Sequence, residues 1–110
     1  MEAKEIADIV VSALEEKKAE DVKVIDVHDL TPVADYFVLA TASNPNQLEA
    51  LVENVDEKLN GKGINARSIE GRPKGDSNWI LMDYNTVIVH VFNREGRQFY
   101  DLERLWQNAG

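Results

Sequence analysis

The chain contains no cysteine. This absence excludes a disulfide framework and thiolate chemistry, and it fits a protein of a reducing cytosol. No apolar run approaches the roughly 20 residues that a membrane-spanning helix needs. The first residues carry acids where a signal peptide would be basic and then apolar. We therefore expect a cytoplasmic protein with no membrane association.

Basic residues are scarce. Twelve Lys and Arg stand against 20 Asp and Glu, which gives a net charge of −8. Such a balance argues against nucleic-acid phosphates as the main source of affinity. It is compatible with a basic protein partner, although a charge that only keeps the protein soluble is the more common case. The length of 110 residues predicts one domain with one sizeable core.

Histidine is also rare, and neither of the two histidines predicts a metal site with any specificity. His90 lies inside an apolar strand, where a hydrogen-bonded core histidine is the more common outcome. His28 lies near Asp26 and Asp29, but such trios are common in acidic proteins. The sequence therefore predicts no bound metal.

Patterns that carry catalysis are missing as well. Ser43 lacks the glycines of a nucleophile elbow, and residues 71–75 (GRPKG) lack the spacing of a phosphate-binding loop. Asp35 and Asp83 each lie at one end of a predicted strand, where they could pair with Arg97 or hold a turn through backbone amides. As a catalytic pair of carboxylates they lack a supporting base. We expect no catalytic residue and no cofactor.

The chain is organised around residues 79–92, WILMDYNTVIVHVF, which predict a β-hairpin. One strand covers 79–82 and the other 86–92, and both are rich in β-branched and aromatic residues. The residues between them include Asp83 and Asn85, which tolerate the positive φ that tight turns need. The second strand is apolar at nearly every position, as expected at the centre of a sheet.

The remaining segments predict helices and strands that cover this hairpin. Apolar residues at helical spacing mark two helices: Ile6, Val10, Ala13 and Leu14 within 2–19, and Leu48, Leu51, Val52, Val55 and Leu59 after a start at Asn44 and Pro45. Further strands are predicted at 23–27, 35–42 and 64–70, and a closing helix at 94–106. The prediction is a single α/β (α+β) domain over 1–110, with helices on a mixed sheet of about five strands in the order α-β-β-α-β-β-β-α.

Two aromatic residues stand out as candidates for binding. Trp79 and Tyr84 flank the first hairpin strand, and both residue types are over-represented at binding hot spots. They could equally fill the core. Strict alternation would also send them to opposite faces of the sheet, so a shared surface would need a bulge or a turn that redirects Tyr84.

Several long runs together resemble one known family. The runs DYFVLATAS, WILMDY, VIVHVF and RQFYDLERLW, in this order and spacing, are similar to those of the ribosomal silencing factor family, also called Iojap-like or RsfS. The resemblance extends from Ile6 to Trp106. It implies a fold like that of nucleotidyltransferases, without known enzymatic activity.

The resemblance also implies a function and a partner. Members bind the large ribosomal subunit through its ribosomal protein number fourteen, block joining of the small subunit, and lower translation when nutrients are scarce. The alternative is a nucleotidyltransferase-like enzyme or nucleotide-binding domain, but the paired aspartates that hold two metals in such enzymes are missing. An apolar contact surface could also pair with a second copy of the chain, so a homodimer is a further expectation.

By the same resemblance, five residues match the contact positions of the family. Trp79, Met82 and Tyr84 would contact the ribosomal protein, with Asp83 and Asn85 as polar neighbours. The family often has glycine where this sequence has Asn85. Because asparagine tolerates the left-handed conformation, the turn is expected to survive this change.

Overall fold

A computed structural model describes residues 2–71 and 79–99 of the chain, and within them eight elements. Their order matches the predicted one. The elements are α1 (Ala3–Glu16), β1 (Glu20–Asp26), β2 (Tyr36–Ala42), α2 (Pro45–Asn60), β3 (Ser68–Glu70), β4 (Trp79–Asp83), β5 (Val87–Asn93) and α3 (Arg94–Phe99).

The five strands form one mixed sheet in the order β1-β2-β5-β4-β3. β2 and β5 run parallel and occupy the interior, whereas the other neighbouring pairs are antiparallel. The predicted hairpin is confirmed, with Trp79 opposite Phe92 and Asp83 opposite Ile88. Parallel strands cannot be joined by a tight turn, and here α2, β3 and β4 lie between β2 and β5 in the sequence.

Both long helices pack on one face of the sheet and form the larger core. All nine residues of the two predicted apolar stripes are buried: Ile6, Val10, Ala13, Leu14, Leu48, Leu51, Val52, Val55 and Leu59. The helices are also joined by a buried hydrogen bond, which Asn54 Nδ2 donates to the carbonyl oxygen of Ala13 over 2.8 Å.

The predicted start of the second helix is confirmed. Asn44 Oδ1 accepts a hydrogen bond from the backbone N–H of Gln47 at 2.8 Å, and Pro45 occupies the first helical position. The side chain of Gln47 reaches back and accepts from both the N–H and the hydroxyl of Ser43. Ser43 therefore forms part of the hydrogen bonding at the N-terminus of α2.

Some predicted boundaries were wrong. β1 begins at Glu20 and contains a register shift before Lys23. The predicted strand 64–70 is reduced to β3, because Ile64 still completes the end of α2 by donating its N–H to the carbonyl of Leu59. The sequence also predicts a polar loop at 71–78, of which residues 72–78 lie outside the described residues, as does the part of the predicted last helix beyond residue 99.

The hairpin turn depends on one residue in the left-handed region. Asn85 has φ of 73°, and its backbone N–H donates to Asp83 Oδ1 at 2.8 Å. Asparagine is one of the few residues that tolerate this conformation at low cost. The predicted survival of the turn with asparagine in place of glycine is confirmed.

The turn yields a stability prediction. Asn85→Val should lower the free energy of unfolding by about 1–2 kcal/mol, since a β-branched residue is strained at positive φ. Asn85→Gly is the matched control, because it also removes the side chain but relieves the strain, and it should stay within about 1 kcal/mol of wild type. Urea denaturation with unchanged m-values measures both. Equal losses in the two variants would contradict the role of φ.

Candidate partner-binding surface around Trp79

The second face of the sheet carries a separate apolar cluster to which neither α1 nor α2 contributes a residue. Its buried members come from the strands and the connection after β1: Val27, Ala34, Phe37, Leu39, Ile88 and Phe92. Trp79 and Leu81 are only partly buried and pack against this cluster. They therefore present apolar area to solvent on the face opposite the long helices.

The alternation of β4 decides which of its side chains reach this face. Trp79, Leu81 and Asp83 are partly buried, whereas Ile80 and Met82 are fully buried in the larger core. Leu81 was not among the predicted site residues. Its spacing of two from Trp79 was the signal that could have identified it.

The indole of Trp79 lies over two rings of β5. Its centroid is 5.6 Å from the ring of His90 and 5.6 Å from that of Phe92, with interplanar angles of 28° and 22°. Trp79 Nε1 donates a hydrogen bond of 3.0 Å to His90 Nδ1. Stacking and the hydrogen bond together fix the orientation of the indole.

His90 is the hydrogen-bonded core histidine that the sequence predicted, with 4% of its surface exposed. Because Nδ1 accepts the bond from Trp79, the neutral ring carries its proton on Nε2. Nε2 is buried and has no hydrogen-bond partner in the described part of the chain. Burial disfavours the charged ring and lowers the pKa of His90 to about 4.

Two of the five predicted contact residues are buried. Met82 has no exposed surface, and Tyr84 is 3% exposed. The hydroxyl of Tyr84 donates to Asp56 Oδ1 at 2.9 Å, and Asp56 is partly buried. Burial, together with this bond, raises the pKa of Tyr84. The alternation of the strand prevails, and Trp79 and Tyr84 point to opposite faces.

Asp83 and Asn85 form a polar edge beside Arg67. Arg67 Nη2 donates to Asp83 Oδ2 at 2.8 Å, and Nη1 lies 3.4 Å from Asn85 Oδ1. Burial raises the pKa of Asp83, but the bonds from Arg67 and the Asn85 N–H outweigh it and hold that pKa below its ordinary value. The prediction that Asp83 could pair with Arg97 was wrong, although its predicted turn-holding role is confirmed.

A shallow groove of about 200 Å³ adjoins Trp79 and is lined also by Leu81, Glu70 and Gly71. Gly71 has φ of 75°, and a Cβ there would overlap the carbonyl oxygen of Trp79. The chain therefore needs glycine to pass this close to β4. The groove offers an apolar floor with one carboxylate at its rim.

Chemistry at the other candidate positions is limited. Within residues 2–71 and 79–99, no group of three His, Asp or Glu side chains is placed to hold a metal ion. His28 Nδ1 is 3.0 Å from Asp29 Oδ1. The backbone N–H of His28 donates to Asp26 Oδ1. Arg97 donates to Thr41 Oγ1 and to the carbonyl of Asp21. The described helices include none long and apolar enough to cross a membrane.

Comparisons with known proteins all point to one family. The family model described as "Ribosomal silencing factor during starvation" matches residues 1–110. The ribosomal silencing factor RsfS of Bacillus subtilis is 33% identical over 109 residues, which cover 99% of this chain and 91% of that protein. A crystal structure from Chromobacterium violaceum, 34% identical, superposes with a TM-score of 0.91 over 97% of this chain and 88% of that one.

A more distant relative is mitochondrial. The mouse protein named "Mitochondrial assembly of ribosomal large subunit protein 1" is 32% identical over 104 residues. The match covers 90% of this chain but only 44% of the mouse protein.

The buried histidine predicts how stability depends on pH. Burial lowers the pKa of His90 to about 4 in the folded chain, from an ordinary value of 6.5, so between these two pH values the unfolded chain binds more protons. This contribution to stability is complete above pH 6.5 and is lost as the pH falls towards 4. From pH 7 to 4 the wild type should lose about 3 kcal/mol more than His90→Asn.

Urea denaturation of both proteins across this range measures the difference. His90→Asn keeps all the carboxylates of the wild type, so the effects of protonating Asp83 and the other acids cancel in the comparison. Parallel pH profiles would show that His90 is not buried neutral.

Proposed function

This chain belongs to the ribosomal silencing factor family, and we propose that it binds a basic protein of the large ribosomal subunit through the surface around Trp79. Ribosome-associated regulation of translation follows from the family. The finer proposal is that the partner is the large-subunit ribosomal protein number fourteen, and that the bound domain blocks joining of the small subunit when nutrients are scarce.

The observation that carries the proposal is the partly exposed Trp79 on the face of the sheet opposite α1 and α2. Together with Leu81 it forms an apolar patch beside the groove at Glu70. Tryptophan is among the commonest hot-spot residues, since one side chain supplies a large contact area at a low entropic cost. A patch of this kind suits an apolar or long-stemmed side chain of a partner.

Charge supports a basic partner. The chain carries a net charge of −8, and Asp83 and Glu70 lie at the rim of the patch. Complementary charge steers encounter and selects among partners, and it makes association sensitive to salt. Ribosomal proteins are generally basic and fit this description.

The five proposed contact residues differ in how deeply their side chains are buried. Trp79, Asp83 and Asn85 present surface for direct contact with the partner. Met82 and Tyr84 are buried, and we assign them to the support of β4 and of the turn. Their substitution would disturb binding through the position of the hairpin.

We further propose that the chain acts without catalysis in the cytoplasm. A folded domain seated on the face of the large subunit that meets the small one is a steric block and needs no turnover. A second copy of the chain could compete for the same apolar patch, so a homodimer would oppose ribosome binding.

Sedimentation with separated ribosomal subunits tests the proposal. The wild type should travel with large subunits only, and Trp79→Ala should bind about thirtyfold more weakly or worse, a loss of about 2 kcal/mol. Val24→Ala is the matched control, because Val24 is 47% exposed and lies on the opposite edge strand. It should bind as the wild type does.

Equal binding by all three proteins would remove Trp79 from the interface. Absence of binding by the wild type would overturn the ribosomal proposal. Circular dichroism must show that Trp79→Ala remains folded.

The non-catalytic proposal has its own test. Calorimetric titration with a nucleoside triphosphate and Mg²⁺ should give no saturable heat, since Asp83 is engaged by Arg67 and by the turn. A saturable heat that disappears in Asp83→Asn would instead favour the nucleotidyltransferase-like alternative.

A further inference from the structure

We propose that His90 is a positioning residue that holds the Trp79 indole ready for its partner, although His90 itself does not touch the partner. The inference deepens the proposed function and rests on it for the link to binding. It assigns a role to the buried histidine, which neither the fold nor the proposed contact surface requires.

The geometry places His90 beside the indole nitrogen of Trp79. In the sheet His90 is opposite Leu81, so Trp79 reaches it diagonally on the same face. Trp79 Nε1 has one proton to donate, and His90 Nδ1 accepts it at 3.0 Å. With only 4% of its surface exposed, His90 cannot form much of a contact of its own.

The unpartnered Nε2 shows that stability does not explain this histidine. Within the described residues, that buried nitrogen makes no hydrogen bond, which costs stability relative to an apolar side chain of the same size. Neighbours on the same face of the sheet are apolar, among them Leu39 and Phe92, and the ring of Phe37 lies edge-on at a centroid distance of 4.8 Å. An apolar residue would suit this environment better, but it could not accept from Trp79.

What the acceptor provides is a fixed indole. Without it, Trp79 would keep the stacking on Phe92 but would lose the hydrogen bond to β5 that sets the rotation of its indole. A side chain ordered before binding loses less entropy when the partner arrives. The expected consequence is weaker binding when the acceptor is removed, with the fold intact.

Two substitutions of similar size separate the acceptor from the volume. His90→Asn can place its amide oxygen where Nδ1 lies, whereas His90→Leu fills the site without an acceptor. The first readout is the exchange of the Trp79 indole proton with water by ¹⁵N NMR, assigned with Trp79→Phe because the chain has a second tryptophan. Exchange should be at least about tenfold faster in His90→Leu than in wild type, and His90→Asn should restore slow exchange.

The second readout is affinity for large ribosomal subunits purified from Bacillus subtilis. His90→Leu should bind about tenfold more weakly and His90→Asn within about threefold of wild type. In a Trp79→Ala background the leucine change should have no further effect, because the two residues act through one contact. If His90→Leu does not fold, His90→Gln replaces it, since glutamine reaches towards the Nε2 position instead.

The outcomes separate the two proposals. Fast indole exchange with wild-type affinity would overturn the positioning role while the ribosomal function stands. An equal loss of affinity in the Trp79→Ala background would also overturn it, since His90 would then act only through the fold. If the wild type does not bind large subunits, the proposed function fails. Slow exchange of the Trp79 indole proton in His90→Leu would separately refute the hydrogen bond as the constraint on the indole.

Discussion

The parallel pairing of β2 and β5 is the constraint on which the rest of the structure depends. Both strands are buried along nearly their whole length, so both faces of the sheet centre must be shielded from water. On one face α1 and α2 do this with two regular apolar stripes. On the other face Trp79 and Leu81 form part of the cover, and both side chains remain partly exposed.

This asymmetry leaves uncovered the surface that we propose for binding. β4 alternates strictly, so its even-numbered residues complete the helix-covered core and its odd-numbered residues remain half-buried. The same strand therefore completes the core on one side and carries the proposed contact surface on the other. Because the core side fixes the register, the position of Trp79 is set by residues buried on the other face, such as Ile80 and Met82.

Periodic features were predictable from the sequence, and pairings between distant side chains were not. The helix stripes, the hairpin and the start at Asn44 follow from local spacing and capping chemistry, and all are confirmed. The bond from Arg67 to Asp83 joins residues 16 positions apart. Only the pairing of β3 with β4 brings them together, and no local pattern reports that pairing.

The candidate site shows the same division. Alternation already placed Trp79 and Tyr84 on opposite faces, and that argument was stronger than the expectation of a shared surface. The bond between Trp79 and His90 needed both the hairpin register and the side-chain rotamers. A histidine in an apolar strand is a local exception to the pattern around it, and such exceptions are expected where stability has yielded to function. Here the exception donates no bond of its own within the described residues but accepts one from the partly exposed Trp79, so under our proposal the cost of burying a polar ring is offset by the value of a fixed indole.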